Sequence, residues 1–518
     1  MEKYFEIAAF ALYFLLVLGV GIYFFLKSKG KGEKDYFLGG RNMNGLVAAF
    51  SAGASDMSAW VLMGLPGAIY LFGLGQVWIS IGLLIGTVCA WLFVAPRLRR
   101  FAIKADDAIT IPQFFSNRFK AKSPVLRIAC AVIFVIAYCV YTASSLSACG
   151  TLFETVLGVD PTLGMVIAAV VILVYTLLGG FNAVCWTDFF QGLIMLAALM
   201  IVPIITLFIT DPSAMANPLV ETPNYYSFLS SGSFDWTSIS DILSGLGWGL
   251  GYFGMPHILV RYMSIRSEKE MKKSQIIGIG WFVIIVFMAT LVGIVGRELL
   301  GNKYVNAVDG DEDVIFIDMV RNIFSYGGLA LIGGLMLSAI VAAAMSTADS
   351  QLLASSSSFA SDIYKTAIKK NASDKEMLWV GRIAVAVVLI VALFIALNPA
   401  SGGIMALVES AWAIFGAAFG PAILLSLFWR RFNYKGAVSG IITGFVVSVF
   451  WMFAFNKGAD SWIVSTNLYE LVPGFVSGLI VCVVVTLLTK APSEEVLALY
   501  DSVGSSTEEQ VAENKENA

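Results

Sequence analysis

Long apolar stretches alternate with short polar ones along almost the whole chain. Each stretch runs for about 20 residues, the length that an α-helix needs to cross a bilayer. The pattern predicts an all-α polytopic membrane protein with about thirteen transmembrane helices, here called spans 1 to 13. Their approximate ranges are 5–26, 44–73, 76–96, 128–157, 162–180, 184–210, 238–260, 275–298, 326–360, 376–397, 403–429, 436–456 and 470–489.

The composition agrees with this pattern. Of the 518 residues, 58% are hydrophobic and 13% are charged, whereas soluble proteins average roughly 25% charged residues. The deficit excludes a large water-soluble globule, a disordered chain and a nucleic-acid binder. There is a single histidine, His257, and the six cysteines lie in apolar stretches without metal-ligand spacing. No Walker loop or other catalytic motif occurs, so we expect neither an enzyme nor an organic cofactor.

Basic residues gather on one side of the predicted spans. All but five of the 33 lysines and arginines fall in the loops after odd-numbered spans or in the tail. By the positive-inside rule, the N-terminus is outside and the C-terminus is cytoplasmic. The N-terminus lacks the basic stretch of a signal peptide, so span 1 is predicted to be retained. The polar, acidic tail, residues 490–518, is predicted to be solvated and largely disordered.

Two spans carry residues that interrupt a helix. Span 2 has Asp56 at its middle, flanked by serines and Gly53, and span 7 has five glycines and a proline between Gly245 and Pro256. Spans five apart cross in opposite directions, as in transporters built from two inverted five-span repeats. Glycine-rich spans equally suit close helix packing, but a carboxylate at membrane depth is usually functional, and Asp56 favours the transporter.

The interrupted spans divide the chain into five predicted regions. These are 1–43 (span 1 and a cytoplasmic loop), 44–210 (first repeat, spans 2–6), 238–429 (second repeat, spans 7–11), 430–489 (spans 12 and 13) and 490–518 (tail).

Span 9 supplies candidate cation ligands. Ser346 and Thr347 follow a run of small residues that permits close approach of another backbone. Sodium favours uncharged oxygens, which these hydroxyls and carbonyls of an unwound span 2 around Ala54 and Met57 can supply. Alternatively, the hydroxyls bond back to their own helix. Asp188 in span 6 is either a second cation ligand or a structural hydrogen-bond acceptor, and Glu409 in span 11 is a further acid at membrane depth.

Three aromatic residues lie beside glycine or serine at membrane depth. Trp248 and Tyr252 share one face if span 7 is locally helical there. Tyr141 forms a polar stripe on span 4 with Ser144 and Ser145. Most of the other aromatic residues are expected to be core residues or interface anchors.

Several motifs resemble those of the sodium/solute symporter family, and most closely its bacterial sodium/proline symporters. The Gly-Gly-Arg loop and the Ser-Thr-Ala-Asp-Ser motif are typical of the wider family, whereas the context of span 2 points to proline. The segments that carry the resemblance are 35–41, 51–58, 63–68, 178–181, 248–254 and 343–351.

This resemblance implies thirteen helices with the leucine-transporter-type inverted repeat. It implies a sodium site, with Asp56 in sodium coupling and Asp188 as a further cation contact. The implied sodium ligands are the carbonyls of Ala54, Met57 and Ala343 and the hydroxyls of Ser346 and Thr347. The implied substrate contacts are Ser58, Trp60, Tyr141, Trp248, Tyr252 and Pro256. Ala59 stands where glycine is usual and Met255 where glutamine is expected.

The sequence therefore predicts a sodium-coupled symporter that imports L-proline across the bacterial cytoplasmic membrane by alternating access. Its expected partners are this small-molecule substrate and membrane lipid, with no nucleic acid. Two alternatives stay open: the same machinery carrying pantothenate, another amino acid or a sugar, and a channel or sensor that accumulates no solute.

Overall fold

The computed structural model describes residues 2–28, 33–209, 217–305, 311–324, 329–456, 461 and 463–504. All regular structure in these residues is helical, apart from one isolated bridge between Met43 and Ile265. The prediction of an all-α protein is confirmed.

The first half of the chain begins with a long helix and ends with another that bends at a glycine. Its helices are α1 Glu2–Ser28, α2 Glu33–Leu38, α3 Gly45–Asp56, α4 Gly64–Phe72, α5 Val77–Cys89, α6 Ala95–Lys104, α7 Ile111–Arg118, α8 Val125–Leu157 and α9 Pro161–Ile209. Gly180 divides α9, because its φ of 60° and ψ of −172° are not helical. A Cβ there would lie 2.8 Å from the Tyr36 ring, so this bend requires glycine.

The second half begins with two short helices. Its helices are α10 Trp236–Gly247, α11 Pro256–Ser264, α12 Glu268–Leu300, α13 Ile315–Phe324, α14 Leu329–Ser358, α15 Asp374–Ala396, α16 Ile404–Phe428, α17 Tyr434–Phe455, α18 Leu471–Leu488 and α19 Glu494–Asp501.

Ten helical runs of the described chain are long and apolar enough to cross a membrane, and Pro161–Leu177 is a shorter apolar helix. Predicted spans 2 and 7 contain only shorter pieces. Helices α3 and α4 have 12 and 9 residues, and so have α10 and α11. The count of thirteen spans therefore stays a prediction.

The chain between α3 and α4 leaves helical geometry. Met57 has φ −81° and ψ 73°, Ser58 is extended, and a 3₁₀ turn covers Ala59–Val61. Between α10 and α11 a 3₁₀ segment covers Trp248–Phe253, and Met255 is extended. Helix α11 then begins at Pro256, whose missing N–H and fixed φ suit the first turn of a helix.

Helix α14 lies at the centre of the fold. It packs against α1, α8, α9 and α3, and its small residues Ala342, Ala343 and Ala344 are completely buried. Small side chains let the neighbouring backbones approach closely. A similar approach joins α5 to the 3₁₀ segment, where a Cβ on Gly86 would lie 2.2 Å from the Gly249 carbonyl oxygen.

Two sequence-based expectations need correction. The tail is not disordered in residues 494–504, because α19 packs its Tyr500 ring 6.0 Å from that of Phe101; residues 505–518 lie outside the described part. In addition, Arg261, counted among the loop residues, lies within α11 and is 2% exposed. Charge counting cannot separate a loop arginine from one buried at the end of a helix.

Candidate functional site

A hydroxyl of α14 meets the last turn of α3. Ser346 Oγ lies 2.8 Å from the Ala54 carbonyl oxygen, to which it donates, and 3.1 Å from the Ala343 carbonyl oxygen. Met57, one turn after Ala54, is completely buried. Two carbonyls from different helices thus converge on one hydroxyl, close to where helical geometry ends.

The neighbouring hydroxyl tests whether a cation fits here. Thr347 Oγ1 is buried and finds no hydrogen-bond partner among the described residues. A buried polar atom is normally paired with protein, water or an ion, so this oxygen is available to a ligand. The alternative, in which the hydroxyl bonds to its own helix, holds in part for Ser346, because its hydroxyl contacts the Ala343 carbonyl of α14 as well as the Ala54 carbonyl of α3. The carbonyl and hydroxyl oxygens here carry no charge, which suits sodium as a ligand set.

Asp56 joins this region to the second interrupted segment. It is 2% exposed, and its Oδ2 accepts a hydrogen bond from the Tyr252 hydroxyl. Its Oδ1 is buried without a partner in the described chain. The Asp56 carbonyl oxygen lies 3.5 Å from the Tyr141 hydroxyl and 3.4 Å from the Trp60 indole nitrogen. The residue therefore touches the predicted substrate contacts through both its side chain and its main chain.

Aromatic rings gather beside Asp56. The ring centroids of Trp60 and Trp248 are 5.9 Å apart. Trp412 of α16 lies 6.2 Å from Trp248 and 5.2 Å from Tyr252, and its indole N–H donates to the Trp248 carbonyl at 2.8 Å. Tyr469 stacks on Trp248 at 5.2 Å. The structure thus brings Trp60, Trp248 and Tyr252 together, and Trp412 of α16 contacts the last two.

Ser58 and Pro256 mark where the chain resumes its turns after each interruption. Ser58 caps the 3₁₀ turn, with its Oγ 3.5 Å from the Trp60 amide nitrogen, and its hydroxyl also interacts with that of Tyr141. Pro256 opens α11 and is buried. Trp412 and Tyr469 were not predicted, because each lies in an apolar or loop context without neighbouring glycine or a paired hydroxyl.

A cavity of about 160 Å³ reaches Trp248 from one side. Residues of the α10 end, α16 and the chain before α18 line it, including Asp241, Glu409, Asn456 and Tyr469. Glu409, the third membrane-depth acid of the sequence, therefore lies at this cavity and not at the Ser346 hydroxyl.

Asp188 faces a cation supplied by the protein. Arg261 Nη2 lies 3.0 Å from Asp188 Oδ2, which also accepts from the Ser51 hydroxyl at 2.6 Å. Arg261 Nε donates to Ser51 at 2.9 Å and its Nη1 to the His257 carbonyl at 2.7 Å. Asp188 Oδ1 has no hydrogen-bond partner in the described residues, so one oxygen is left for a further contact.

The same network continues into α14. Arg261 Nη2 also donates to the Ser350 hydroxyl. Asp349, completely buried, accepts from Ser350 at 3.1 Å and from the Tyr175 hydroxyl at 2.7 Å. Arg261, Asp349 and Ser350 were missed as site residues. The Ser-Thr-Ala-Asp-Ser motif contains Asp349 and Ser350, so it could have indicated these two. A carboxylate buried at membrane depth, such as Asp188, could have indicated a buried basic partner, which is Arg261.

A polar cluster lies at one end of the bundle, beside α11. Arg41 of the Gly-Gly-Arg motif donates to Asp107 Oδ1 at 2.6 Å and to the Met263 carbonyl at 2.5 Å. Lys34 also pairs with Asp107. Partial burial alone would raise the pKa of Asp107, but hydrogen bonds from Lys34 and Arg41 hold that pKa below its ordinary value. The carboxylate therefore stays charged near neutral pH and ties Arg41 to the next loop.

The model of the sodium:solute symporter family matches residues 36–444. The chain belongs to this family. Among similar proteins are the osmoregulated proline transporter OpuE of Bacillus subtilis, 42% identical over 95% of this chain and 97% of the relative, and the high-affinity proline transporter PutP of the same organism, 43% identical over 91% and 96%. A sodium/proline symporter of Staphylococcus aureus is 40% identical over 93% and 92%.

Solved structures show the same fold at lower identity. A Na⁺-coupled sialic acid symporter in a substrate-bound outward-open state has a TM-score of 0.77 at 22% identity, covering 94% of this chain and 98% of that one. MhsT in complex with L-phenylalanine has a TM-score of 0.53 at 14% identity over 86% and 97%. The symporter is thus a multi-pass protein of the bacterial cell membrane that binds a small molecule, with sodium as coupling ion. The prediction of a transporter, as opposed to an enzyme, agrees with this family.

Proposed function

We propose that the symporter imports L-proline together with sodium across the cytoplasmic membrane by alternating access. The observation that carries this proposal is the extent of its similarity to named proline transporters, at least 40% identity over more than nine-tenths of the chain. Two observations support it independently: the buried aromatic rings beside Asp56 would give an apolar surface for the substrate, and the Thr347 hydroxyl, without a partner among the described residues, would be an oxygen ligand for a cation.

The proposed sodium site has five oxygens, which come from α14, from the end of α3 and from the non-helical residue that follows α3. The carbonyls of Ala54, Met57 and Ala343 and the hydroxyls of Ser346 and Thr347 would hold the ion. Bound there, sodium would tie the end of α3 to α14 by replacing the hydrogen bond from Ser346 to Ala54. Asp56, a few residues away, would contribute negative charge and sense the ion through the interrupted segment. Asp188 would offer its unpartnered Oδ1 as a further cation contact.

The proposed substrate site lies between the two interruptions. Main-chain amides at the starts of α4 and α11 can bind a carboxylate, because helix N-termini attract anions; Pro256 itself has no N–H, so it would position the chain. Trp60, Trp248 and Tyr252 would enclose the pyrrolidine ring, with the Tyr141 and Ser58 hydroxyls at its polar edge. Ala59 and Met255 adjoin this site, so their departures from the family pattern would affect affinity and substrate range.

The proposed architecture has thirteen spans in two inverted repeats, spans 2–6 and 7–11, each opening with an interrupted helix. The parallel order of α3–α4 and α10–α11 supports it. We place the N-terminus outside and the C-terminus in the cytoplasm from the charge asymmetry, which leaves α19 and the rest of the tail on the cytoplasmic side. Membrane lipid would cover the outer helical faces.

Coupling would come from a shared preference of both ligands for one conformation. Sodium at α3 and α14 would favour the outward-open state to which proline binds. Because linkage is reciprocal, proline must then raise sodium affinity by the same factor. The sodium gradient would supply the energy, with a membrane potential adding about 2.3 kcal/mol per charge per 100 mV.

Uptake into proteoliposomes tests the function. With an inward sodium gradient, labelled L-proline should accumulate above its equilibrium level, and collapsing the gradient should abolish this accumulation. An excess of unlabelled pantothenate or glucose should leave uptake unchanged. Equilibration without accumulation would contradict symport and favour a channel. Accumulation of a competitor in place of proline would keep the mechanism and refute the substrate.

Asp56→Asn should strongly weaken the sodium dependence of uptake. The substitution keeps the size of the side chain and its ability to accept from Tyr252, but it removes the buried negative charge that would face the ion. Sodium titrations of uptake at fixed proline measure the effect. Asp241→Asn, at the cavity wall, is the matched control and should leave the half-saturating sodium concentration unchanged. Normal sodium activation of the Asp56 variant would remove this residue from the coupling mechanism.

A further inference from the structure

A guanidinium is buried without a partner near the C-terminal end of α12. Arg297 is completely buried, and its Nε, Nη1 and Nη2 all lack a hydrogen-bond partner in the described part of the chain. Most buried polar groups are paired, and each exception calls for an explanation such as a bound water or ion. A buried arginine, which stays charged, is the most costly kind of exception.

Two tyrosines line the surroundings of Arg297. Its Cζ lies 5.2 Å from the ring centroid of Tyr70 on α4 and 5.8 Å from that of Tyr225 in the loop before α10. The cation–π contacts and an interaction with the Tyr70 hydroxyl compensate part of the lost hydration, but none of the guanidinium N–H groups has an acceptor in hydrogen-bond geometry among the described residues. The Tyr225 hydroxyl is also buried without a hydrogen-bond partner among the described residues, whereas Tyr70 donates to the Gly301 carbonyl at 2.6 Å.

The neighbouring charged residues have other partners. Glu298 accepts from the Tyr226 hydroxyl at 2.7 Å in an exposed contact. Lys303 pairs with Asp318 at 2.5 Å. Where α4, α12 and the Tyr225 loop meet, the described residues therefore leave one buried guanidinium and one buried hydroxyl without a hydrogen-bond acceptor, and both groups are hydrogen-bond donors.

We propose that the Arg297 guanidinium and the Tyr225 hydroxyl together bind a small inorganic anion, chloride. A single negative charge matches the single arginine, and a monatomic ion fits donors that lie among aromatic rings. Phosphate or sulfate would bring more charge and more oxygens than these two groups can satisfy. The anion would tie the end of α4, the Tyr225 loop and α12 together, apart from the residues proposed to bind sodium and substrate.

The anchoring contacts of the loop agree with this role. The Leu74 amide donates to the Tyr225 carbonyl at 2.7 Å, and a Cβ on Gly73, whose φ is +76°, would lie 2.1 Å from that oxygen. Tyr225 is thus fixed by its main chain against the chain that follows α4. A bound anion would fix its side chain as well, so its removal should loosen this end of the molecule.

Melting of the purified protein in detergent tests the proposal. At constant sodium, replacing gluconate by chloride should raise the melting temperature and the rise should saturate, with bromide acting in the same way. Tyr225→Phe keeps the ring and removes only the hydroxyl. It should raise the half-saturating chloride concentration about tenfold, which corresponds to about 1.4 kcal/mol for one lost hydrogen bond to a charged group.

Arg297→Met should abolish the response to chloride, and Arg321→Met is the matched control. Arg321 lies on α13 and donates to the Thr155 and Val156 carbonyls at 2.7 and 2.9 Å, so its loss should leave the chloride response intact. A wild-type melting temperature that does not respond to chloride would overturn the proposal. A response of undiminished affinity in Tyr225→Phe would do so as well, even if the Arg297 variant fails to fold.

Discussion

Replacing both Ser346 and Thr347 by alanine should raise the half-saturating sodium concentration of proline uptake at least tenfold, with the protein still folded. The two hydroxyls are proposed to supply two of the five oxygens of the sodium site. A hydrogen bond or polar contact to a charged group contributes about 1.5–3 kcal/mol, and each 1.4 kcal/mol is a factor of ten in affinity. The loss of two ligands therefore leaves a large deficit even if water replaces one of them.

The fold should tolerate this change because little else depends on the two hydroxyls. Thr347 Oγ1 has no partner among the described residues, and Ser346 bonds only the Ala54 and Ala343 carbonyls. Sodium titration of uptake in proteoliposomes measures the effect, and the melting temperature without sodium checks that the variant is folded.

Ser338→Ala is the matched control. Ser338 is also buried on α14, but within the described chain its hydroxyl donates only to the Leu335 carbonyl, in the preceding turn of the same helix. Its removal should leave sodium activation unchanged. If the Ser346 and Thr347 variant also keeps normal sodium activation, the ion is bound elsewhere and Asp188 becomes the first place to search.

The local pattern of the sequence was sufficient for several parts of this arrangement. The spacing of apolar stretches predicted the long helices, since a span needs about 20 apolar residues whatever it packs against. Gly245–Pro256 and the serines around Asp56 marked places where a continuous helix is unfavourable, and there the described helices end. Such features are decided by backbone preferences, which nearby residues express directly.

The sequence pattern could not predict which residues on distant helices contact each other. Arg261 and Asp188 are 73 residues apart, and only the packing of α11 against its neighbours makes them a pair. The positive-inside rule counts arginines without regard to burial, so Arg261 was interpreted as a loop charge. Trp412 was equally hidden, because an aromatic residue in an apolar helix is usually core. Helix α19 forms because Tyr500 and Val503 pack against the rest of the protein. The acidic composition of the tail does not indicate this packing.

Replacing Arg261 by methionine should destabilise the symporter by about 3–5 kcal/mol, the cost of leaving one member of a buried ion pair uncompensated. Arg261 is 2% exposed and Asp188 is completely buried. Without the guanidinium, Asp188 loses its ion-pair partner, Ser51 loses a donor, and the His257 carbonyl loses the Nη1 hydrogen bond. Asp349, the other buried carboxyl of this network, is itself an acid and cannot take the place of the lost guanidinium.

Combining Arg261→Met with Asp188→Asn should recover much of the lost stability, because the double variant no longer leaves the buried Asp188 carboxylate without its ion-pair partner. Contacting residues of one network are not additive, and the double-mutant cycle measures their coupling. Melting temperatures in detergent are sufficient for the comparison. A double variant as unstable as the sum of both single variants would show that the two side chains act independently, contrary to the observed 3.0 Å pair.

Arg430→Met offers a control for the loss of an arginine pair as such. Arg430 and Asp501 lie 2.7 Å apart, but both side chains are more than half exposed, so water and salt screen their interaction and it should contribute little to stability. A loss of stability in Arg261→Met but not in Arg430→Met would show that the burial of the ion pair, and not the presence of an ion pair as such, causes the destabilisation. It would also explain why this arginine stands within α11, where its charge balances the buried Asp188.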